Sequence, residues 1–289
     1  METPNRPGPG EVTLDHSGHF VADAAAARAA LERLGFTVTP YSAQVQPDPE
    51  TGEDRLTGTG NICVMLPEGY LEFLVHTADT AIGREFRAAL DRRAGLHLCA
   101  FGVGDAAACH RDLVARGLHM RPLVRFSRQV DTIDGPRSAA FTVARMAAGT
   151  MPEGRVQVLT HHNDTVLWQP RWTAHGNGAK ALQAILVSSP DPQETAARFS
   201  RLLDRQPQAM GPGLRIPLDR GAIDLLPEDA ATELVGYAVD PGRSSLIGLR
   251  VSVADPSRFD DVPGARSVAD ARVVPFPAAL GAGVWIFEP

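Results

Sequence analysis

The sequence has few cysteines, no long apolar run and no cluster of basic residues. No segment approaches the roughly 20 apolar residues that a membrane-spanning helix needs. The first residues, METPNRPGPGEV, lack the basic and apolar segments of a signal peptide. We therefore expect a cytoplasmic protein without a membrane partner. The net charge of −6 and the absence of Lys/Arg runs argue against a nucleic-acid partner.

Several motifs that define enzyme classes are also missing. The three cysteines, Cys63, Cys99 and Cys109, are odd in number and lack the CxxC spacing of metal sites, so we expect reduced, buried thiols. The sequence contains no GxSxG motif, and no GxGxxG motif follows a strand and opens a helix. These absences disfavour a serine hydrolase and a dinucleotide-dependent enzyme.

The first half of the chain contains an internal sequence repeat. An Asp-Ala-Ala-Ala pattern with a later Leu, Gly and Pro occupies 23–40 and recurs 82 residues later at 105–122. A Pro-Glu-Gly, Leu and His pattern at 67–76 recurs 85 residues later at 152–161. Such a repeat indicates a duplicated structural unit. A chain of 289 residues that is 44% hydrophobic is long enough for one large or two ordinary domains.

Each copy predicts a strand, a helix and three further strands. Alternating runs at 14–23 and 96–105 predict a strand that ends at an aspartate able to cap a helix. The Ala-rich segments that follow have helical spacing and stop at Gly35 or Gly117. The later strands are predicted around 37–41, 61–66 and 70–76 in the first copy, and around 124–130, 139–146 and 155–161 in the second.

The remaining chain contains two weaker copies, which begin with ALQAILVSSPD and SLIGLRVSVAD. The polar segment 172–180 separates the two pairs of units. Another polar segment, 43–58, is predicted as a loop inside the first unit. The predicted domains are 12–178, with units 12–78 and 95–165, and a degenerate second domain 180–289, with units 180–230 and 244–289.

A tandem β-α-β-β-β unit that opens with LDHSGHFVAD and closes with YLEFL resembles the vicinal oxygen chelate superfamily, and specifically its glyoxalase-like branch. The resemblance covers 12–178 well and 180–289 faintly. It implies an α+β fold in which about four βαβββ modules form two cupped mixed sheets with flanking helices. The superfamily includes isomerases, lyases, ring-cleaving dioxygenases and metal-free drug-binding proteins, so the fold does not select an activity.

In that superfamily, the first and last strands of two facing units hold a divalent metal. The resemblance places these positions at His16 and Glu72 in the first unit and at Leu98 and Gln157 in the second. Leu98 cannot bind a metal. In the third unit, Asp224 occupies the closing-strand position, but its first-strand counterpart is an alanine, so we expect no second metal centre.

Histidines further along the closing strands could complete the set of metal ligands. Because strand side chains alternate, Glu72 shares a face with His76, and Gln157 shares a face with His161. Glu72 is also a candidate general base, and His161 and His162 are candidate proton shuttles near neutral pH. The candidate metal ligands are His16, Glu72 and Gln157, which the resemblance implies, and His161, which strand alternation adds; they would hold Fe, Mn, Ni or Zn.

Two classes of function follow from the resemblance. A metal-dependent enzyme would chelate adjacent oxygens of a small oxygenated metabolite and act as a lyase, isomerase or dioxygenase. Alternatively, a metal-free protein of the same fold would bind a small molecule or antibiotic, as bleomycin resistance proteins do. His16 and Glu72 favour the first class, whereas Leu98 and Gln157 favour the second. The partner is a small molecule in both cases, and the architecture is compatible with a homodimer.

Overall fold

Sixteen strands form two eight-stranded mixed sheets in the computed structural model, which describes residues 5–48 and 50–289. The first sheet contains β1 (Val12–Phe20), β2 (Ser42–Pro47), β3 (Asp54–Met65), β4 (Tyr70–His76), β5 (Gly95–Val103), β6 (Val124–Thr132), β7 (Gly135–Arg145) and β8 (Arg155–His161). The second contains β9 (Ala179–Ser189), β10 (Gln208–Met210), β11 (Gly213–Pro217), β12 (Ala222–Pro227), β13 (Ser245–Val253), β14 (Arg266–Val268), β15 (Ala271–Pro275) and β16 (Val284–Glu288). The helices are α1 (Ala24–Arg33), α2 (Ala81–Arg92), α3 (Ala106–Ala115), α4 (Pro170–Thr173), α5 (Pro192–Leu203) and α6 (Glu228–Val235).

Both sheets are built on the same plan. The strand order of the first is β2-β3-β4-β1-β5-β8-β7-β6, and that of the second is β10-β11-β12-β9-β13-β16-β15-β14. In each, the first strands of two units pair antiparallel at the centre, and each first strand pairs parallel with the last strand of its own unit. This arrangement confirms the predicted tandem βαβββ fold. In the fourth unit, a 3-10 turn at Pro256–Phe259 takes the place of the helix.

Local signals explain why the helices begin and end where they do. The Asp23 carboxylate accepts hydrogen bonds from the amides of Ala25 and Ala26 at the start of α1, and Asp105 caps α3 in the same way. Such a cap satisfies amides that have no partner within the helix. Gly35 follows α1 with a φ of +82°, a conformation that glycine adopts without strain.

The structure differs from the prediction at the second strand of the first unit. Residues 43–58 were expected to form a loop, but Ser42–Pro47 is strand β2 and pairs antiparallel with β3. The expected strand at 37–41 is not formed. Gln44, in the middle of β2, faces a cavity that is lined by both polar and apolar side chains, so this strand lacks the apolar alternation by which a half-buried strand is recognised.

The two halves of the chain share one apolar core, which contains residues from both sheets. His19, on the other face of β1 from His16, lies in it and stacks on Phe73 at a ring distance of 4.6 Å. The ring of Phe276, from the second half, is 5.0 Å away. The division of the chain into two domains stays a prediction. No helix in the described part of the chain has the length and apolar character to cross a membrane.

Candidate functional site

The first sheet curls into a cup that encloses a cavity of about 120 Å³. The curl brings its two edge strands together, so that Arg128 on β6 donates a hydrogen bond to Ser42 on β2 at 3.3 Å. The four positions that the resemblance singled out all line this cavity: His16, Glu72, Leu98 and Gln157. The cup therefore collects on one surface side chains that lie far apart in the sequence.

A β-bulge at Asp15 fixes the orientation of His16. Leu14 pairs with Phe101 and His16 pairs with Ala100, so Asp15 is an extra residue in β1. Its carboxylate oxygen Oδ1 is 2.6 Å from His16 Nδ1. Because a carboxylate can only accept, Nδ1 carries a proton, and in the neutral ring Nε2 then keeps its lone pair.

The free Nε2 of His16 faces the carboxylate of Glu72. The separation between Nε2 and Glu72 Oε2 is 3.9 Å, and both side chains are buried. The other oxygen of Glu72, Oε1, accepts hydrogen bonds from Gln44 Nε2 at 3.0 Å and from Asn61 Nδ2 at 2.5 Å. Two neutral amides thus hold one oxygen of Glu72, while the other oxygen is directed towards His16.

Asp15 also bonds His161, which lies behind the cavity. His161 Nε2 is 3.1 Å from Asp15 Oδ2, and the His161 ring packs edge-on against Trp168 at 5.1 Å. Burial alone would raise the pKa of Asp15, but the interactions with His161 and His16 outweigh it and hold this pKa well below its usual range. The Asp15 carboxylate therefore stays ionised and fixes both imidazoles.

Tyr70 forms the wall beside His16. Its ring stacks on the imidazole at 4.3 Å. Burial, followed by the nearby Asp15 and Glu72 carboxylates, raises the pKa of the phenol well above its usual value. Tyr70 is therefore a neutral hydrogen-bond donor at physiological pH.

Not every residue that the sequence singled out reaches the cup. His161 is attached to it through Asp15 but does not line the cavity. His162 follows the end of β8 and does not line the cavity, and its Nε2 is 2.8 Å from Thr142 Oγ1. His76 ends β4, is partly exposed and does not line the cavity. Within residues 5–48 and 50–289, no group of three His, Cys, Asp or Glu side chains is arranged to hold a metal ion.

The cysteines are free thiols, as expected, and one of them lines the cavity. Cys63 and Cys99 are buried, and Cys109 is partly buried. Burial raises the pKa of the Cys63 thiol, and the neighbouring Glu72 carboxylate raises it further. Cys63 is therefore a protonated, unreactive wall residue of the cup.

His16 Nε2 and Glu72 Oε2 lie slightly too far apart to share an ion as they stand. Ligand atoms about 2.1 Å from one ion are about 3.0–3.4 Å apart in octahedral or tetrahedral geometry, so their 3.9 Å separation would have to shorten by about half an ångström. The Gln157 amide lines the same cavity and supplies a neutral oxygen, whereas Leu98 supplies none. The chemistry of the residues thus suits a divalent ion with two stronger ligands and one weaker ligand after a small side-chain movement, with water or substrate in the other positions.

The equivalent region of the second sheet is occupied by an ion-pair network. Asp224 is fully buried and bonds Arg215 Nε at 2.7 Å and Arg250 Nε at 2.7 Å. Arg250 also bonds Glu288 at 3.0 Å. Two guanidinium groups therefore already satisfy the acid that corresponds to Glu72.

Several residues of the site carried no assigned role in the sequence. Asp15 was missed because a bulge, which the alternation of side chains does not predict, turns it towards His16. Gln44 was missed with its strand, and Asn61 was predicted only as the first residue of the strand around 61–66. Arg145 and Arg155 lie on the paired strands β7 and β8, and nothing in the pattern of those strands marks an arginine that faces the cavity.

The fold and the cup define a protein of the vicinal oxygen chelate type. The chain belongs to the glyoxalase-like domain family, whose sequence model matches residues 14–203. No curated protein sequence matches the chain significantly.

Three similar solved structures share the fold. A hypothetical protein from Staphylococcus aureus is 11% identical, with a TM-score of 0.64, and the match covers 96% of this chain and 99% of that one. A variant of 4-hydroxymandelate synthase from Streptomyces coelicolor is 15% identical, with a TM-score of 0.54 and coverage of 96% and 92%. A xylose isomerase-like TIM barrel/4-hydroxyphenylpyruvate dioxygenase fusion protein is 12% identical, with a TM-score of 0.52 and coverage of 99% and 50%. At these identities the similarity shows the fold and not the reaction.

Proposed function

We propose that the protein is a metal-dependent enzyme that acts on a small metabolite with adjacent oxygens. The observation that carries this proposal is the orientation of His16 by the buried Asp15 carboxylate, which presents Nε2 to Glu72 inside the cavity. A carboxylate that fixes the tautomer of a histidine is the usual support of a metal-binding imidazole. A histidine that served packing alone would not need its second nitrogen directed towards a carboxylate.

His16 and Glu72 would hold the ion, with the Gln157 amide oxygen as a third, weaker ligand. A bound divalent ion supplies Lewis-acid stabilisation of negative charge on two adjacent substrate oxygens, as in lyase, isomerase or dioxygenase chemistry. The chain itself fixes the ligands: Asp15 holds the tautomer of His16, and two amides hold Glu72. The Tyr70 ring covers one face of the imidazole and excludes water from it.

Metal analysis tests the proposal. The full chain is purified without chelator, loaded separately with Mn, Fe, Ni or Zn, and its metal content is measured by mass spectrometry after removal of free ion. We expect about one equivalent of at least one metal in the wild type and loss of that metal in His16→Ala and Glu72→Ala. The exposed His119 provides a matched control, so His119→Ala should retain the metal. Equal metal content in all four proteins, or none in any, would refute the proposed metal site.

A metal-free small-molecule binding protein is the second candidate. It is favoured by Leu98, which cannot ligate, at one of the four positions, and by the neutral Gln157 at another. Such a protein would bind its ligand equally well before and after chelator treatment. If metal is bound, oxygen uptake with catechols, compared with turnover of hemithioacetals or epoxides, separates a dioxygenase from a lyase or isomerase.

A further inference from the structure

Three arginines line the same cavity as His16 and Glu72. They are Arg128 on β6, Arg145 at the end of β7 and Arg155 at the start of β8. Arg145 pairs across the strands with Gln157, so it lies beside one of the proposed metal-ligand positions. Glu72 is the one acidic side chain among the described residues that line this cavity. The cavity therefore carries more positive than negative side chains.

The nearby carboxylates do not neutralise Arg145. Glu85 accepts two hydrogen bonds from Arg121, at 2.9 and 3.1 Å, and is also 3.9 Å from Arg155. Oε1 of Glu72 is bonded to two amides, and its Oε2 is directed towards a histidine. In the described part of the chain, the Arg145 side chain forms no ion pair, and its buried Nε has no hydrogen-bond partner.

The surroundings of Arg145 make this lack of a partner costly. Its side chain is partly buried, and the guanidinium groups of Arg128 and Arg155 line the same cavity. A guanidinium is charged at neutral pH. A charge that is partly shielded from water and has no protein partner is destabilising, and an anion that enters the cavity would relieve part of that cost.

We propose that the cavity recognises a substrate that carries a carboxylate, which pairs with the guanidinium of Arg145. This inference rests on the proposed function in that it takes the cup as the substrate site. The planar guanidinium matches a carboxylate in two parallel hydrogen bonds. Apolar walls from Phe126, Phe141 and Leu159 receive the rest of the molecule.

The size of the cavity limits the substrate. Its enclosed volume of about 120 Å³ is comparable to the engineered cavity of about 150 Å³ that holds benzene, and the cavity is open to solvent on one side. A small carboxylic acid with a single ring or a short chain therefore suits it, with part of the molecule at the opening. Benzoate and benzamide form a probe pair for this class because they have the same shape and differ in charge.

The test is a calorimetric titration of the full chain, with and without bound metal. We expect benzoate to bind the wild type at least about tenfold more tightly than benzamide, in line with the strength of hydrogen bonds between charged groups. Arg145→Gln should weaken benzoate binding by that factor and change benzamide binding by less than about twofold. Arg125 is exposed on β6 and lies outside the cavity, so Arg125→Gln is the matched control and should bind as the wild type does. Because the variant removes a charge that has no partner, Arg145→Gln should unfold at no lower temperature than the wild type.

Two results would overturn the carboxylate site: equal affinity of the wild type for benzoate and benzamide, or equal weakening of benzoate binding in Arg125→Gln and Arg145→Gln. Metal content measured on the same samples separates this inference from the proposed function. Preferential benzoate binding in a protein that binds no metal would refute the metal-dependent enzyme and keep the carboxylate site. Normal metal content without a preference for benzoate would refute the carboxylate site and keep the metal-dependent enzyme.

Discussion

Replacing His19 with phenylalanine should make the protein less sensitive to mild acid. The His19 side chain is completely buried between the two halves of the chain, stacked on Phe73 at 4.6 Å and close to Phe276 at 5.0 Å. Neither ring nitrogen has a hydrogen-bond partner within the described residues. Burial lowers the pKa of His19 from 6.5 to about 3, with smaller contributions from His97 and Arg93. His19 is therefore neutral in the folded protein at any ordinary pH.

The sign and size of the effect follow from proton binding. Between pH 6.5 and about 3, unfolded His19 binds a proton that the folded state does not, so the free energy of unfolding falls as the pH falls below 6.5. From pH 7.5 to 5.5, this single group removes about 1.4 kcal/mol. His97, whose pKa burial lowers to about 4, acts in the same direction and remains in the variant. The difference between wild type and His19→Phe therefore isolates the contribution of His19.

Urea denaturation at pH 7.5, 6.5 and 5.5 and constant ionic strength measures this difference. The stability of His19→Phe relative to the wild type should increase by about 1.4 kcal/mol between pH 7.5 and 5.5. At pH 7.5 the variant should be at least as stable as the wild type, because two buried nitrogens without partners are removed. The exposed His119→Ala serves as control and should follow the wild type. If wild type and His19→Phe lose the same stability on acidification, His19 is not held neutral by burial.

Three further substitutions test the two cups. Leu98→His should add an imidazole at the empty fourth position and tighten metal binding by about tenfold or more, as measured by competition with a chelating dye; unchanged affinity would place the ion elsewhere. Asp15→Asn should weaken metal binding about 10- to 100-fold in the same assay, whereas wild-type affinity would show that the carboxylate does not support a ligand. Asp224→Asn should lower the free energy of unfolding by about 1.5–3 kcal/mol, because the partly exposed Arg215 and Arg250 would lose the charge of their shared carboxylate. A loss below about 1 kcal/mol in urea denaturation would show that these pairs contribute as little as surface ion pairs do.

The sequence predicts the scaffold well where the signal is local. The capping aspartates Asp23 and Asp105 act on amides two or three residues away, so helix starts can be predicted from the sequence. The closing strands β4 and β8 have the predicted bounds, because their buried faces are apolar. The repeat adds long-range information, since it identifies which strands are equivalent.

The sequence predicts the site less well because the site depends on register and curvature. A one-residue bulge turns Asp15 towards His16, and no pattern in β1 marks it. Gln44 reaches Glu72 only because β2 pairs with β3 as a polar strand. Arg145 faces the cavity only after the sheet has curled, and the period of a strand does not encode that curl.

The two sheets differ in how their equivalent carboxylates are satisfied, and this difference favours a functional site in the first sheet. Glu72 and Asp224 occupy the same place in equivalent units, and both are buried. Asp224 is neutralised by two guanidinium groups, so no negative charge is left for a bound cation. The hydrogen bonds to Glu72 come from two neutral amides, and its second oxygen is directed towards His16, so its charge is available to a metal ion or a proton. The duplicated scaffold thus carries a carboxylate paired with two guanidinium groups in one cup and a carboxylate held by neutral amides beside a histidine in the other.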